Sequence, residues 1–272
     1  TLCPAHDDRT PSLSIADGDN GKLLVKCFAG CNTIDVMAAL RQRGLLDSPQ
    51  DNITANPIVK RKPDKERLLP GIWALDIWQQ SLPATGTPIE TYLKTRGYVG
   101  PIPPTLRYHP KLRHRESGIH FPVMIGGVTV APDKKIVAIH RTYLRADGHV
   151  KADVSEVKKS LGPIGGGAVR LASAAKMLAV TEGIETGLSF MQASGLPTWA
   201  ALSACGIETL QLPPLPLATH VVIGADNDKS GRGYHAAQKA ATRWTLEGRT
   251  VRIVMPPKVG TDFNDMLLEG KR

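Results

Sequence analysis

The chain has 272 residues, 42% hydrophobic and 22% charged, an ordinary globular composition with room for one large domain or two to three small ones. No run approaches the roughly 18 consecutive apolar residues of a membrane helix, and no signal-peptide core opens the chain, so a cytoplasmic protein with no membrane partner is expected, trimmed ahead of Thr1. A net charge of +9 suits polyanionic partners such as nucleic acid, although on charge alone a merely basic protein is an equal reading.

Residues 1–47 hold three of the four cysteines. Cys3 and His6 form a C-x2-H pair, and Cys27 and Cys31 a C-x3-C pair. Between them "SLSIADGDNGKLLVKC" reads as two strands joined by an Asp/Asn/Gly turn, which brings both pairs to one end of a hairpin. Two close N/S pairs make a tetrahedral structural zinc site. A helix follows in "NTIDVMAALRQRGLL", with Ile34, Met37, Ala38, Leu40 and Leu45 at helical spacing and Asp35 in its first turn. Cys205, inside apolar "ALSAC", is expected to be a buried core thiol. The stretch "CPAHDDRTPSLSI" resembles the N-terminal zinc-binding domain of bacterial and phage primases, in which C-x2-C is commoner than the C-x3-C found here. That resemblance implies contact with template DNA and a part in choosing the initiation site.

Residues 48–66, "SPQDNITANPIVKRKPDKE", lack apolar periodicity and read as a linker. Residues 67–172 form a mixed α+β segment. Helical patterns come first (Ile72, Leu75, Trp78, Leu82; then Ile89, Tyr92, Leu93), followed by a Pro-rich loop "GPIPPTLRYHP" and strands in "HFPVMIGGVTVAP" and "KIVAIHRTYL". In "TLRYHPKLRHR", Arg107, Lys111, Arg113 and Arg115 lie among Tyr108, His109 and His114, a mixture that suits single-stranded nucleic acid as well as it suits a solvated basic loop. "FPVMIGGVTVAPDKKIVAIHRTYL" loosely resembles the N-terminal half of the primase polymerase core. The resemblance implies that Arg141, and the basic pair Lys158 and Lys159, face nucleic acid and nucleotide. "GPIGGGAVRL" lacks the Lys-Ser/Thr ending of a P-loop and reads as a flexible loop near phosphate.

From 173 to 272 buried strands alternate with helices: "KMLAVTE", "ETGLSFMQASG", "TWAALSA", "HVVIGAD", a helix over about 233–247, and "TVRIVMPP". This order implies an α/β domain with a central, mostly parallel sheet. Ligands of such sheets bind at the carboxyl ends of the strands. Glu182 ends the first strand, Asp226 and Asp228 follow a later one, and Asp262 and Asp265 follow the last. Any single acid there is better read as a helix cap. Three clusters at three strand ends favour a shared Mg²⁺ or Mn²⁺.

"TEGIETGLS", "GADNDKSGRG" and "GTDFNDML" together resemble the Toprim domain of bacterial-type primases, topoisomerases and some nucleases. The resemblance implies that Glu182 is the catalytic acid/base or metal-proximal carboxylate and that Asp226 and Asp228 bind the metal. Primases carry another acid four residues after the signature Glu; here that position is Thr186, with Glu185 beside it as the substitute. The whole chain then reads as a multi-domain α/β enzyme, a DNA primase or DNA-directed RNA polymerase of a bacterium, phage or mobile element. It would make RNA primers from NTPs on single-stranded DNA, with structural Zn²⁺, catalytic Mg²⁺ or Mn²⁺, and a replicative helicase on a separate chain. The alternatives are a Toprim-type nuclease and a catalytically silent DNA-binding module that recruits a helicase. A topoisomerase would need a further large domain for its nucleophilic tyrosine.

Overall fold

The computed structural model describes residues 1–8, 10–17, 23–46 and 65–270. The chain divides into two compact units, residues 1–62 and 63–272. Residues 48–64 of the expected 48–66 linker lie outside the described residues. No helix among the described residues is long and apolar enough to cross a membrane.

In the first unit, β1 (Leu13–Asp17) and β2 (Leu23–Cys27) pair antiparallel with Leu13 opposite Cys27. Helix α1 (Thr33–Gln42) is N-capped by the Asn32 side chain, which accepts from the Ile34 N–H at 3.3 Å. Its buried stripe is Val36 and Leu40, with Met37 beside them, against Cys3, Leu13 and Cys27. The sequence placed Ile34, Ala38 and Leu45 on that stripe, yet all three are exposed, Ile34 by 71%. The i, i+4 pair Val36/Leu40 sets the phase, and Ile34 falls half a turn away.

The second unit opens with α2 (Lys65–Gln80), and here too the sequence misplaced the phase. Ile72 and Leu75 are exposed, while Ala74, Ile77 and Trp78 face the core. Leu82, assigned to that helix, belongs to the short strand β3 (Leu82–Pro83) and is exposed. Helix α3 (Pro88–Thr95) buries Ile89, Tyr92 and Leu93 as expected, with Pro88 at its first turn and Thr87 as N-cap. The Pro-rich loop is shorter than its composition suggested. Strand β4 (Leu106–Arg113) takes up the basic stretch, and a register shift between His109 and Leu112 accommodates Pro110, which cannot donate to a ladder.

Strand β5 (His120–Val130) joins the halves of the unit, because its partner changes along one edge. β4 pairs with its first part, and β8 (Gly167–Arg170) pairs with Val128–Val130. β6 (Ile136–Tyr143) takes the other edge, and β7 (Lys158–Leu161) continues beyond it. Alternation sorts β5 between two cores: Val123 and Ile125 pack towards α2, and Met124 and Val128 towards α3. Gly127 is required there, since a Cβ would stand 2.6 Å from Ile136 Cδ1 and 2.9 Å from the Trp78 ring.

Beyond β8 lie β9 (Met177–Thr181), α4 (Ile184–Ser194), β10 (Thr198–Ala200), α5 (Ala204–Thr209), β11 (His220–Gly224), α6 (Arg232–Leu246), β12 (Thr250–Val254) and α7 (Phe263–Glu269). The sheet order is β12-β11-β9-β10-β8-β5-β4-β3, with β10, β9, β11 and β12 parallel to one another. One ten-stranded sheet therefore runs unbroken across residue 172. Leu178, Val180, Val221 and Ile223 pack with Ile207 of α5 and Trp244 of α6, while Ile184 and Leu188 of α4 join the core of α3. Cys205, expected in the core, is exposed at the start of α5, where the buried positions are Ala204 and Ile207.

Candidate catalytic carboxylates and metal centre

In the first unit, one ligand atom from each of Cys3, His6, Cys27 and Cys31 lies within 4.8 Å of all the others. The β1–β2 register and the turn after β2 gather them, and His6 Nδ1 points at the sulfurs, 3.1 Å from Cys31 and 4.0 Å from Cys27. Burial opposes ionisation of Cys27, but N–H groups and the Ser12 hydroxyl bring its thiol down to about 6. Burial and the neighbouring sulfurs push Cys31 up to about 11. Thiols this crowded repel once ionised, and a tetrahedral Zn²⁺ is what this donor set fits. Asp8, which the sequence did not single out, lies behind the cluster. Its Oδ1 is 3.6 Å from His6 Nε2, while Oδ2 accepts from Cys3 N and Ser12 Oγ, both at 2.6 Å. The Ser12 hydroxyl and then the Cys3 N–H hold its carboxyl down to about 2. A carboxylate on the far nitrogen of a ligating histidine fixes tautomer and ring orientation. Its position in "CPAHDD" is the only hint the sequence carried.

In the second unit, β9 and β11 are adjacent, with Thr181 opposite Gly224, so Glu182 and the Ala225–Asp228 loop leave the sheet side by side. A bridge between Asn227 and Thr261 brings in Asp262. Burial first, and then Asp228, raise the pKa of Glu182, against a donated Ala204 N–H. That N–H is in reach because Leu202, in the left-handed region at φ 73°, turns the chain from β10 into α5. Asp226 is raised furthest of the described acids: burial, then Glu182, Asp262 and Asp228, push it up to about 7. Its Oδ1 is buried and has no hydrogen-bond partner among the described residues. Asp228 behaves oppositely. Its Oδ1 accepts from Ser230 N at 2.8 Å and from the Ser230 hydroxyl, and its Oδ2 from Gly233 N at 3.0 Å, which holds it down to about 2. One fixed carboxylate beside one frustrated, unpartnered carboxylate fits a hard dication, which would satisfy the orphaned oxygen and relieve the repulsion.

Asp262 and Asp265 also serve the fold. Asp262 caps α7, accepting from Asn264 N at 2.7 Å and Asp265 N at 2.9 Å, and Asp265 returns to accept from Asp262 N at 3.0 Å. Asp262 still acts on Asp226, and Thr186 donates to its Oδ2 at 3.3 Å. Asp265 is placed at the helix cap. Glu185, expected as a substitute metal ligand, is only 5% exposed and already engaged. It accepts from Tyr92 Oη and Lys158 Nζ, both at 2.8 Å, with Lys151 Nζ at 3.7 Å. Nothing in the sequence pointed to Tyr92 or Lys151 at this site, since each comes from a distant segment.

The basic residues separate. Arg107 donates to Trp78 O at 2.9 Å and stacks 4.8 Å from the indole centroid, so it clamps α2 to β4. Lys111, Arg113 and Arg115 are exposed. Arg141, half-buried, donates to Ser160 O at 3.2 Å and leaves its Nε unpartnered among the described residues. Lys158 and Lys159 point to opposite faces of β7. Lys158 reaches Glu185, whereas Lys159 is taken by Glu116 and by Glu156 at 2.7 Å.

Residues 177–272 match the Toprim domain family, and residues 71–171 match a family described as a domain of unknown function, DUF7146. No curated protein matches the chain. Among solved structures it is similar to a DNA primase domain from Pseudomonas aeruginosa, at 15% identity and a TM-score of 0.49 over 74% of each chain. It is also similar to the zinc-binding and RNA polymerase domains of the Aquifex aeolicus primase, at 16% identity and a TM-score of 0.43 over 99% of this chain and 75% of that one. A third is the primase fragment of the bacteriophage T7 primase-helicase protein, at 16% identity and a TM-score of 0.40 over 66% of this chain and 65% of that one.

Proposed function

We propose that this chain, with its Toprim domain and N-terminal Cys/His cluster, is a DNA primase that joins NTPs into short RNA primers on a single-stranded DNA template. The observation that carries the reading is Asp226, whose Oδ1 is buried and without a hydrogen-bond partner among the described residues, beside Glu182, Asp228 and Asp262 at the carboxyl edge of the parallel strands. Asp226 and Asp228 would hold Mg²⁺ or Mn²⁺, with Asp262 beside them, and Cys3, His6, Cys27 and Cys31 would hold Zn²⁺. A divalent ion bound there supplies Lewis-acid stabilisation of a triphosphate and eases deprotonation of a 3′-hydroxyl. Glu182 is suited to accept that proton, because its raised pKa brings it closer to the working pH. Asp228 needs no reorganisation, because the start of α6 fixes it. Lys158 and Arg141 present cations to phosphate, and exposed Lys111, Arg113 and Arg115 suit the template strand. A helicase on a separate chain completes the reading.

Primer synthesis on single-stranded DNA with NTPs and Mn²⁺ tests it. Wild type is expected to make primers, and Glu182→Gln to lose roughly 100-fold or more of that activity with the fold intact. Strand cleavage without synthesis would replace the reading with a nuclease. Binding without either reaction would leave a recruiting module.

A further inference from the structure

Glu185 presents a physical puzzle. A carboxylate in the first turn of α4, 5% exposed, is held by a tyrosine and two lysines from segments far away in the chain. Stability does not explain it, since an apolar residue of similar volume would serve the core at least as well as a buried ion pair. Its position is informative. Oε2, which takes the Lys158 ammonium at 2.8 Å, lies 3.9 Å from where a Cβ on Gly183 would sit, and Gly183 directly follows Glu182. The Lys158 charge favours the ionised forms of Glu182 and Asp226, against the burial and neighbouring acids that raise both. Lys158 is therefore a cation within electrostatic reach of Glu182 and Asp226, and Glu185, 2.8 Å from its ammonium, is the anion that holds it.

We propose that Glu185 is a positioning residue that tethers Lys158, with Lys151 alongside, so that the ammonium does not collapse onto Glu182 and Asp226 and occupy the place of the divalent cation. The proposal rests on the reading of these acids as a metal centre. Tyr92 fixes the tether by donating to the other carboxylate oxygen. Tethered, the ammonium keeps N–H groups free for phosphate; released, it competes with metal.

Direct Mn²⁺ titration of the zinc-loaded full chain, followed by electron paramagnetic resonance of free Mn²⁺, reads this without any catalytic turnover. Glu185→Gln keeps an acceptor for Tyr92 and removes the tether; it is expected to weaken Mn²⁺ binding about tenfold or more. Adding Lys158→Met to Glu185→Gln is expected to restore affinity to within about threefold of wild type, because the competing cation is gone. Glu185→Met, an apolar side chain of similar length, gives the same expectations if the Gln variant does not fold. Unchanged affinity in the single variant overturns the proposal, and so does a loss that Lys158→Met fails to restore, which would mark Glu185 as scaffold. A wild-type chain that binds no Mn²⁺ would sink the metal-centre reading itself and this proposal with it.

Discussion

Asp226 and Asp8 show how far a single carboxyl can be driven by its surroundings. With its folded pKa pushed from 3.8 up to about 7, Asp226 binds its proton more tightly in the native state than in the unfolded chain. Its contribution to stability is therefore fully present below the unfolded pKa and is lost as pH rises through about 7. Urea denaturation of the zinc-loaded chain without Mg²⁺ or Mn²⁺ is expected to show stability falling between about pH 4 and 7 by on the order of 2 kcal/mol, discounted for solvent screening. Asp226→Asn is expected to flatten that decline. Asp8 sits at the other extreme, held ionised against His6. Asp8→Asn keeps the shape and is expected to weaken zinc by roughly 10- to 100-fold, read by competition with a colorimetric chelator. The clustering of Glu182, Asp226 and Asp228, and of Cys3, His6, Cys27 and Cys31, was legible in the sequence because each residue ends a strand or belongs to a close pair. Asp8, Tyr92 and Lys151 were not, because their roles depend on partners that only the fold supplies; Tyr92 and Glu185 are 93 residues apart.

Among the elements, strands were read more surely than helix faces. An apolar run that ends in acid or glycine defines β9 and β11 whichever side is inward, since consecutive residues of both strands are buried. A helix has a phase, and α1 and α2 carry apolar residues on more than one side, so spacing alone chose Ile34, Ile72 and Leu75, which are exposed. Helix α3 has one apolar stripe and was read correctly. Packing is tight where α4 meets the sheet, and Gly187 leaves no room: a Cβ would lie 2.7 Å from Thr181 Oγ1 and 2.8 Å from Leu171 Cδ1. Because Glu182 precedes that helix and Thr181 ends β9, overpacking here would shift the carboxylate edge as well as the core. Gly187→Ala is expected to destabilise by about 1–3 kcal/mol in urea denaturation despite the better helix propensity of alanine.

At the scale of the whole chain, the two units have different sources of stability. The first buries only Cys3, Leu13, Cys27, Val36 and Leu40 among its described hydrophobic residues, and two of these belong to the Cys/His cluster proposed to hold zinc. A core that small needs its ion. Stripping zinc is expected to unfold residues 1–46 and leave the calorimetric transition of the second unit in place. Nucleic-acid affinity, in contrast, should follow exposed charge. Of the four basic residues on and just beyond β4, Arg107 is committed to Trp78, while Lys111, Arg113 and Arg115 are free to meet phosphate. Each phosphate contact on a single strand contributes about 0.7 to the slope of log K against log salt. Replacing Lys111, Arg113 and Arg115 together with Ala is therefore expected to reduce that slope by up to about 2, measured by fluorescence anisotropy with labelled single-stranded DNA. Arg107→Ala is expected to leave the slope unchanged and to lower stability, because it removes a hydrogen bond and a cation–π contact between α2 and β4. An unchanged slope in the triple variant would make that surface an ordinary solvated face and move the template path elsewhere on the +9 chain.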